Sequence, residues 1–188
     1  MKLLFNLRLL LILMVLSSAG CQQTPSATNA DTTLAQGPVT TVYVVRHGEK
    51  ETADPADKDP DLNADGKARA EILRTLLKDE PVAALFSTPY KRTANTLQPL
   101  ADERGLTINK YEPTAFEALK NQVLQNYSGK TVVIAGHSNT ILPIVEAFGV
   151  EKPVAVVAET KYDHIFKITI AADGIATLEA GQYGKATN

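Results

Sequence analysis

The sequence has one cysteine, no tryptophan and no clustered run of lysine and arginine. A lone cysteine cannot form an internal disulfide, so the folded part of the chain must be stable through packing alone. Nucleic-acid backbones are bound by clustered basic side chains, and a formal charge of −2 without such a cluster argues against a nucleic-acid partner. A small molecule or a protein is the expected partner.

The first twenty residues differ in composition from the rest of the chain. Lys2 and Arg8 supply positive charge, residues 9–16 are uninterrupted apolar, and the residues after them are small. This order is typical of an export signal that is removed from the mature protein. The apolar core is far shorter than the roughly 20 residues that a permanent membrane-spanning helix needs. We therefore expect residues 1–20 to be a signal peptide.

The single cysteine, Cys21, follows this segment directly. The sequence LSSAGC resembles the lipobox at which bacterial lipoproteins are cleaved and lipidated, although Ser18 stands where the usual residue is aliphatic. The resemblance implies an exported lipoprotein that is held on a membrane through an N-terminal lipid and faces the periplasm or the cell exterior. Plain secretion, or a cysteine without such a role, is the alternative.

The composition changes again near residue 39. Residues 22–38 are rich in Ser, Thr, Asn, Gln and Pro and hold few apolar side chains, so burial cannot offset the entropy cost of ordering them. With Cys21 they are expected to form a flexible tether, residues 21–38. The remaining residues, 39–188, are long enough for one well-built core, and we expect a single domain there.

Within this domain, short runs rich in β-branched residues alternate with helical patterns. The alternation predicts an α/β fold: a three-layer sandwich with a mostly parallel central sheet and helices on both faces. Strands are predicted at 40–46, 82–87, 106–111, 131–135 and 164–170, and helices at 63–78, 90–104, 114–127 and just after His137. The first helix has Asn63 as its expected N-cap and an apolar stripe of Ala68, Ile72, Leu73, Leu76 and Leu77. A hairpin signal at Asp173-Gly174 predicts an antiparallel C-terminal edge.

Polar residues follow three of the predicted strands where each strand ends. The first strand delivers Arg46 and His47, the second leads to Arg92, and the fourth delivers His137. Ligands of open α/β sheets bind outside the carboxyl ends of the strands. A single pair of charged side chains at the end of a strand is usually only exposed to water and has no functional role. Here glycine adjoins both histidines, as it does where the backbone turns sharply or approaches a ligand, so we expect a basic pocket.

Two arginines and two histidines suit a phosphoryl group. Guanidinium groups match phosphate oxygens in two-pronged hydrogen bonds, and they can spread the charge of the transition state. A histidine held in line with phosphorus can attack as a nucleophile and form a covalent intermediate. The same cluster could also bind phosphate without turning it over, so the residues alone leave both outcomes open.

Three stretches together resemble the histidine phosphatase superfamily, which includes the phosphoglycerate mutases: VVRHGEK, STPYKRTANT and VVIAGHSNT, in this order. The resemblance implies that His47 is the nucleophile, that Arg46 and Arg92 clamp the phosphoryl oxygens, and that His137 donates to them. Asn139 is a further candidate donor to phosphate. Ser87 and Thr96 fit the motif around the second arginine and are expected either to contact the ligand or to orient the helix.

The proton donor departs from the pattern of that family. Many members carry a glutamate after the third strand within a longer motif, and Glu112 occupies roughly that place. Phytase-like relatives have an aspartate after the second histidine, where this chain has Ser138. Glu49, beside the nucleophile, and Asp163, before the last predicted strand, are the other candidates. If the substrate has a good leaving group, protonation by a strong general acid matters less for the reaction.

The expected function is hydrolysis of a phosphomonoester through a phosphohistidine, with no metal and no organic cofactor. The alternatives are a non-catalytic phosphate-ligand binding module and a phosphomutase. GHSNT also partly resembles the nucleophile elbow of α/β-hydrolases, but a matching acid and later histidine are missing from the usual layout. The substrate is expected to be a small phosphorylated molecule or a phosphoprotein. Six acids in the loop 49–61 disfavour a polyphosphate and are expected to be solvated rather than to hold a cation.

Overall fold

A computed structural model describes residues 37–187 of the chain. The predicted signal peptide, Cys21 and the predicted tether as far as residue 36 lie outside the described residues. Along the part of the chain that is described, no helix combines the length and the apolar character needed to cross a membrane.

One mixed six-stranded sheet forms the middle of the domain. In chain order its strands are β1 (Thr40–Arg46), β2 (Val82–Ser87), β3 (Ile108–Lys110), β4 (Thr131–Gly136), β5 (His164–Ile170) and β6 (Ala176–Gln182). Their order across the sheet is β3-β2-β4-β1-β5-β6. The pairs from β3 to β1 are parallel, whereas β5 runs antiparallel to β1 and β6 antiparallel to β5. The predicted sheet with its antiparallel C-terminal edge is confirmed.

Four helices cover the two faces of this sheet. They are α1 (Ala64–Leu76), α2 (Lys91–Arg104), α3 (Phe116–Asn126) and α4 (Ile141–Ala147). Residues of α1 and α2 pack with one set of inward strand residues, such as Val45, and residues of α3 and α4 pack with the opposite set, such as Val44. Successive strand residues point to opposite faces, so the apolar run of β1 serves both cores. The predicted three-layer α/β class is therefore confirmed.

Local signals explain the ends of the helices. The Asn63 side chain accepts a hydrogen bond from the Gly66 backbone N–H and caps α1 as predicted. Gly105, with φ of 62°, ends α2 in the left-handed region that favours glycine. α4 begins later than predicted because a turn follows β4, in which Thr140 N–H and Ile141 N–H both donate to the carbonyl of His137.

The buried face of α1 differs from the predicted apolar stripe. Leu73 and Leu77 are buried, but Ile72 is 40% exposed and Leu76 is 51% exposed. Arg69, and not Ile72 or Leu76, lies on the buried face of the helix and is 2% exposed. Its guanidinium donates to the carboxylate of Glu49 and to the carbonyls of Tyr183 and Lys185. A charged side chain is tolerated here because its donors are satisfied.

Replacing Arg69 tests this buried contact. Arg69→Met should lower the free energy of unfolding by about 3–5 kcal/mol, because it leaves the Glu49 carboxylate buried without its partner. The double variant Arg69→Met/Glu49→Leu should recover much of that loss. Urea unfolding measures both.

The control is Arg74→Met, on the same helix, whose ion pairs with Glu71 and Glu103 lie at the surface. This variant should change stability little. An Arg69→Met variant as stable as wild type would show that the buried pair is dispensable.

Candidate active site

A cavity of about 300 Å³ lies at the carboxyl ends of β1, β2 and β4. These three strands are neighbours and run parallel, so the residues that follow them meet at one edge of the sheet. The cavity is lined by Arg46, His47, Lys50, Tyr90, Arg92, Pro113, Thr114, His137, Ser138, Asn139, Thr140 and Glu159. The structure thus brings together all five residues predicted to form the phosphate pocket: Arg46, His47, Arg92, His137 and Asn139.

His47 is held in one orientation and one tautomer. Its backbone N–H donates to the carbonyl of Gly136 at 2.9 Å, which extends the β1–β4 ladder by one residue. Its Nδ1 lies 2.7 Å from the carbonyl oxygen of Gly48. A carbonyl can only accept, so Nδ1 must carry the proton and donate it. In the neutral ring this leaves a lone pair on Nε2, the form that a nucleophilic histidine requires.

Burial and charge keep the His47 ring neutral. The residue is only 3% exposed. Burial lowers the pKa of His47 to about 3, helped by the positive charge of Arg46 and Arg92 and by His137, although the hydrogen bond to Gly48 acts in the opposite direction. The imidazole is therefore unprotonated across the physiological pH range.

Gly48 is required by close packing rather than by its backbone angles. A Cβ atom at this position would lie 2.9 Å from both Cα and O of Gly66, at the start of α1. The Gly48 N–H also donates to Oγ1 of Thr96 at 2.9 Å, and that hydroxyl donates to the Arg92 carbonyl at 2.7 Å. Thr96 therefore orients the backbone at the cavity and does not line it. Ser87 likewise lies outside the cavity, and its hydroxyl donates to the Thr88 carbonyl at 2.9 Å.

Arg46 is buried against the segment that precedes β5. Its Nη1 donates to the carbonyls of Ala158, Glu159 and Lys161 at 3.0, 2.8 and 2.8 Å. Its Nη2 donates to Oε2 of Glu159 at 2.9 Å. The guanidinium also lies 4.0 Å from the centroid of the Tyr162 ring, a favourable cation–π distance. Arg46 thus fixes this segment beside the cavity.

Arg92 reaches the cavity from the first turn of α2. Its guanidinium carbon lies 4.5 Å from the centroid of the Tyr90 ring, and its Nη1 is 3.8 Å from a carboxylate oxygen of Asp59. Tyr90 also meets the ring of His137 edge to face, with centroids 5.3 Å apart. The tyrosine therefore forms an aromatic wall between the second arginine and the second histidine.

His137 follows β4 and faces His47. The two ring centroids are 5.3 Å apart. Its Nε2 lies 3.0 Å from Oγ1 of Thr88, and that hydroxyl lies 2.7 Å from Oγ1 of Thr93. Burial lowers the pKa of His137 to about 4, and the charges of Arg92 and Arg46 act in the same direction. Two neutral imidazoles and two guanidinium groups thus share the cavity.

None of the three carboxylates predicted as proton donors lines the cavity. Glu49 is turned toward Arg69, with 2.8 Å between its Oε1 and Nη2. Asp163 is 1% exposed, and its carboxylate accepts hydrogen bonds from Thr187 and Gln182. Glu112 is exposed, and the two residues after it contribute to the wall in its place.

Seven residues that line the cavity are not among the site residues predicted from the sequence: Lys50, Tyr90, Pro113, Thr114, Ser138, Thr140 and Glu159. Tyr90 lies inside the motif around Arg92, and Ser138 directly follows His137, where phytase-like relatives have an aspartate and the α/β-hydrolase elbow would have its nucleophile. Glu159 lies in a stretch without helical or alternating pattern, so no sequence signal could have placed it. Its carboxylate accepts hydrogen bonds from the Ser138 hydroxyl and from Arg46.

The acidic loop between β1 and α1 uses its carboxylates within the protein. Asp54 and Asp57 each accept from a backbone N–H two residues later. Asp59 accepts from the Lys91 backbone N–H, and Asp61 from the side chain of Asn95. Between residues 37 and 187, no group of three or more Cys, His, Asp or Glu side chains gathers in a way that could hold a metal ion.

A comparison with family models gives one match. Residues 42–114 match the model of the histidine phosphatase superfamily, branch 1. The match supports the histidine phosphatase superfamily. It contains Arg46, His47 and Arg92 and ends before His137. No curated protein matches the chain.

Several solved structures of phosphatases share the fold of this chain. The protein histidine phosphatase SixA, complexed with tungstate, is 16% identical, with a TM-score of 0.59, and the match covers 76% of this chain and 96% of that one. A mycobacterial glucosyl-3-phosphoglycerate phosphatase is 11% identical, with a TM-score of 0.63 and coverage of 78% and 100%. A phosphoserine phosphatase variant from Entamoeba histolytica, in complex with phosphoserine, is 14% identical, with a TM-score of 0.54 and coverage of 77% and 96%. At these identities the likeness shows the fold, and these neighbours are phosphatases.

The lowered pKa of His47 predicts how its replacement depends on pH. The unfolded chain takes up a proton at this residue once the pH falls below about 6.5, whereas the folded chain does not until about pH 3. The native imidazole therefore costs stability as the pH falls through this range. Between pH 7.5 and 4.5, the stability of His47→Gln relative to wild type should improve by about 2–3 kcal/mol.

Urea unfolding at the two pH values measures this difference. Leu73→Ala, which changes no titratable group, is the control and should show the same deficit at both. An equal deficit for His47→Gln at both pH values would mean that the native ring takes up protons normally.

Proposed function

We propose that this protein is a phosphatase that hydrolyses phosphomonoesters through a phosphohistidine on His47. One observation carries the proposal: His47 is held neutral, with Nδ1 bound to the Gly48 carbonyl and Nε2 left as the nucleophilic nitrogen, in a cavity that also holds two guanidinium groups. A site that merely bound phosphate would gain more from a protonated imidazole, because a positive charge attracts the anion.

The arginines support a phosphoryl ligand through their unused donors. Within residues 37–187, four buried side-chain polar atoms have no hydrogen-bond partner, and two of them are Nε of Arg46 and Nε of Arg92. Buried donors are normally paired, so such atoms need an explanation. The Nη1 atom of Arg46 is committed to backbone carbonyls. On the Nε–Nη2 edge only Nη2 has a partner, the Glu159 carboxylate at 2.9 Å, so a phosphoryl group that displaces this carboxylate would find a two-pronged surface there.

The proposed reaction has two steps. Nε2 of His47 attacks phosphorus, the bond from phosphorus to the ester oxygen breaks, and the leaving oxygen takes a proton from a general acid or from water to give the alcohol. Water then attacks the phosphohistidine, the P–N bond breaks, and inorganic phosphate leaves with His47 neutral again. Arg46, Arg92 and His137 would stabilise the charge on the phosphoryl oxygens in both transition states, and donors placed in this way act most strongly where water is excluded.

The substrate is proposed to be a small phosphorylated molecule or a phosphoprotein, and the chemistry to need neither a metal nor an organic cofactor. The structural neighbours are named for a phosphorylated protein histidine, a sugar phosphoglycerate and phosphoserine. Their range supports the phosphoryl group as the shared element of recognition. It does not favour one of these leaving groups for this chain.

We also propose that the domain is exported and held on a membrane by a lipid on Cys21, facing the periplasm or the cell exterior. The support is the order of charged, apolar and small residues that ends in LSSAGC. Labelling with a radioactive or clickable fatty acid tests it: wild type should be labelled and Cys21→Ala should not. Equal labelling of both proteins would mean that the lipid is attached at another residue, and labelling of neither would mean that the protein carries no lipid.

Phosphate release by the domain from about residue 38 tests the function. We expect turnover of an aryl phosphate and of a monoester panel in EDTA, and phosphate trapped on the chain after an alkaline detergent quench, because the P–N bond of phosphohistidine is labile to acid. His47→Ala should lose both by at least about 10³-fold, because the nucleophile is gone. His164→Ala, which alters a histidine outside the cavity, is the control and should retain both.

The outcomes separate the alternatives. No turnover of any ester by folded protein that still binds phosphate would indicate a binding module. Transfer of the trapped phosphoryl group to a second hydroxyl, in preference to water, would indicate a phosphomutase. Loss of activity in EDTA that returns with an added metal would contradict metal independence.

Arg92 provides a second test of the proposed clamp. Arg92→Gln should lower kcat/KM for an aryl phosphate by about 10²–10³, the usual loss when one donor to a transition-state oxygen is removed. Its neighbour Lys91→Gln, whose side chain does not line the cavity, is the matched control. Equal values of kcat/KM for both variants would remove Arg92 from the phosphoryl site.

A further inference from the structure

We propose that Glu159 is the general acid that protonates the leaving oxygen, and the general base that then activates water. This assignment rests on the proposed phosphatase function. It concerns a residue in the segment between α4 and β5 and differs from the three carboxylates that the sequence favoured.

The first argument is position. Glu159 is the one carboxylate, among the residues that the structure describes, that lines the cavity. Glu49 and Asp163 are held by other partners, and Glu112 is turned outward. Proton transfer needs a group within hydrogen-bond reach of the reacting oxygen. An ester bound by Arg46 and Arg92 would therefore meet this carboxylate first.

The second argument is how Glu159 is held. Its carbonyl accepts from Nη1 of Arg46 at 2.8 Å, so its backbone is fixed beside the phosphoryl site. Its carboxylate contacts Nη2 of the same arginine at 2.9 Å and the Ser138 hydroxyl. The side chain is nevertheless 79% exposed. The backbone can stay in place while the carboxylate moves, and the carboxylate can exchange protons with solvent.

Phosphate binding would convert this carboxylate into an acid. In the cavity as it stands, the hydrogen bond from Ser138 lowers the pKa of Glu159, opposed by burial and assisted by the charge of Arg46. A phosphoryl oxygen on Nη2 of Arg46 would take over that partner and bring negative charge close to the carboxylate. Both changes raise the pKa of a carboxyl group. Glu159 therefore takes up a proton more readily when a substrate is present.

The proton balance of the reaction is then complete. As Nε2 of His47 attacks phosphorus and the ester P–O bond breaks, the leaving oxygen takes the proton of the Glu159 carboxyl, which gives the alcohol, the phosphohistidine and a carboxylate. That carboxylate takes a proton from water as the water oxygen attacks phosphorus. The P–N bond breaks, hydrogen phosphate leaves, and both residues return to their starting states.

Leaving-group dependence tests the assignment, because a general acid matters more as the leaving oxygen becomes more basic. Glu159→Gln keeps the size of the side chain and an acceptor for Ser138 and Arg46, but it cannot give up the proton. We expect formation of the phosphoenzyme to slow by less than about 3-fold with 4-nitrophenyl phosphate and by about 10²–10⁴-fold with a simple alkyl phosphate, with phenyl phosphate between them. Rapid alkaline quench of single turnovers, which preserves the P–N bond, measures the rates.

Two further variants act as references. Glu151→Gln alters a carboxylate of the same segment that does not line the cavity, and it should match wild type with all three esters. Glu112→Gln tests the position that the family resemblance favoured. A leaving-group-dependent loss in Glu112→Gln, and none in Glu159→Gln, would overturn the assignment.

Other results overturn it in distinct ways. An equal loss with all three esters would mean that Glu159 only positions Arg46. A gain with all three would mean that its carboxylate competes with the phosphoryl group for Arg46. If wild type forms no phosphoenzyme from any ester, the proposed function itself fails. If wild type does form it, a flat response in Glu159→Gln removes only this inference.

Discussion

The hydrogen bond from Nδ1 of His47 to the Gly48 carbonyl is the contact on which the site depends. It fixes the tautomer, and therefore decides which nitrogen faces the cavity, while burial beside two guanidinium groups keeps the ring unprotonated. The carbonyl can serve because the Gly48 backbone is itself fixed, by Thr96 on one side and by close packing on Gly66 on the other. The glycine of the RHG sequence thus fixes the orientation of the histidine before it.

Arg46 joins the beginning of the domain to its last third. Its Nη1 binds three carbonyls of the segment before β5, its Nη2 binds the Glu159 carboxylate, and its Nε has no partner. Burying a guanidinium is costly unless its donors are paired, and the carbonyls offset most of that cost without bringing a second full charge into the core. Glu159 reaches the cavity because its own carbonyl is one of the three.

The sheet could be predicted from the sequence, and so could the arginines and histidines of the cavity. The strand at Thr40–Arg46 was predicted with its exact bounds because a β-branched run ends abruptly in charge, and parallel topology then brings Arg46 and His137 to one edge. The sequence could not place Arg69 or Glu159. Both are positioned by carbonyl groups, which every residue carries, so the sequence holds no pattern for such contacts. The third strand was predicted at 106–111 but spans only Ile108–Lys110; it lies at the edge of the sheet, where strands are often very short.

The residues after β6 have an importance that their exposure does not show. Carbonyls of Tyr183 and Lys185 hold Arg69, and Thr187 binds Asp163, which immediately follows the Tyr162 ring that lies against Arg46. A protease that cut after Gln182 would remove the last six residues and spare every strand, helix and cavity residue that the structure describes. It would nevertheless remove the carbonyls that bind Arg69 and the Thr187 contact to Asp163, beside the tyrosine that packs on Arg46. Proteolytic removal of this C-terminal segment would thus inactivate irreversibly a cavity whose own residues it leaves in place.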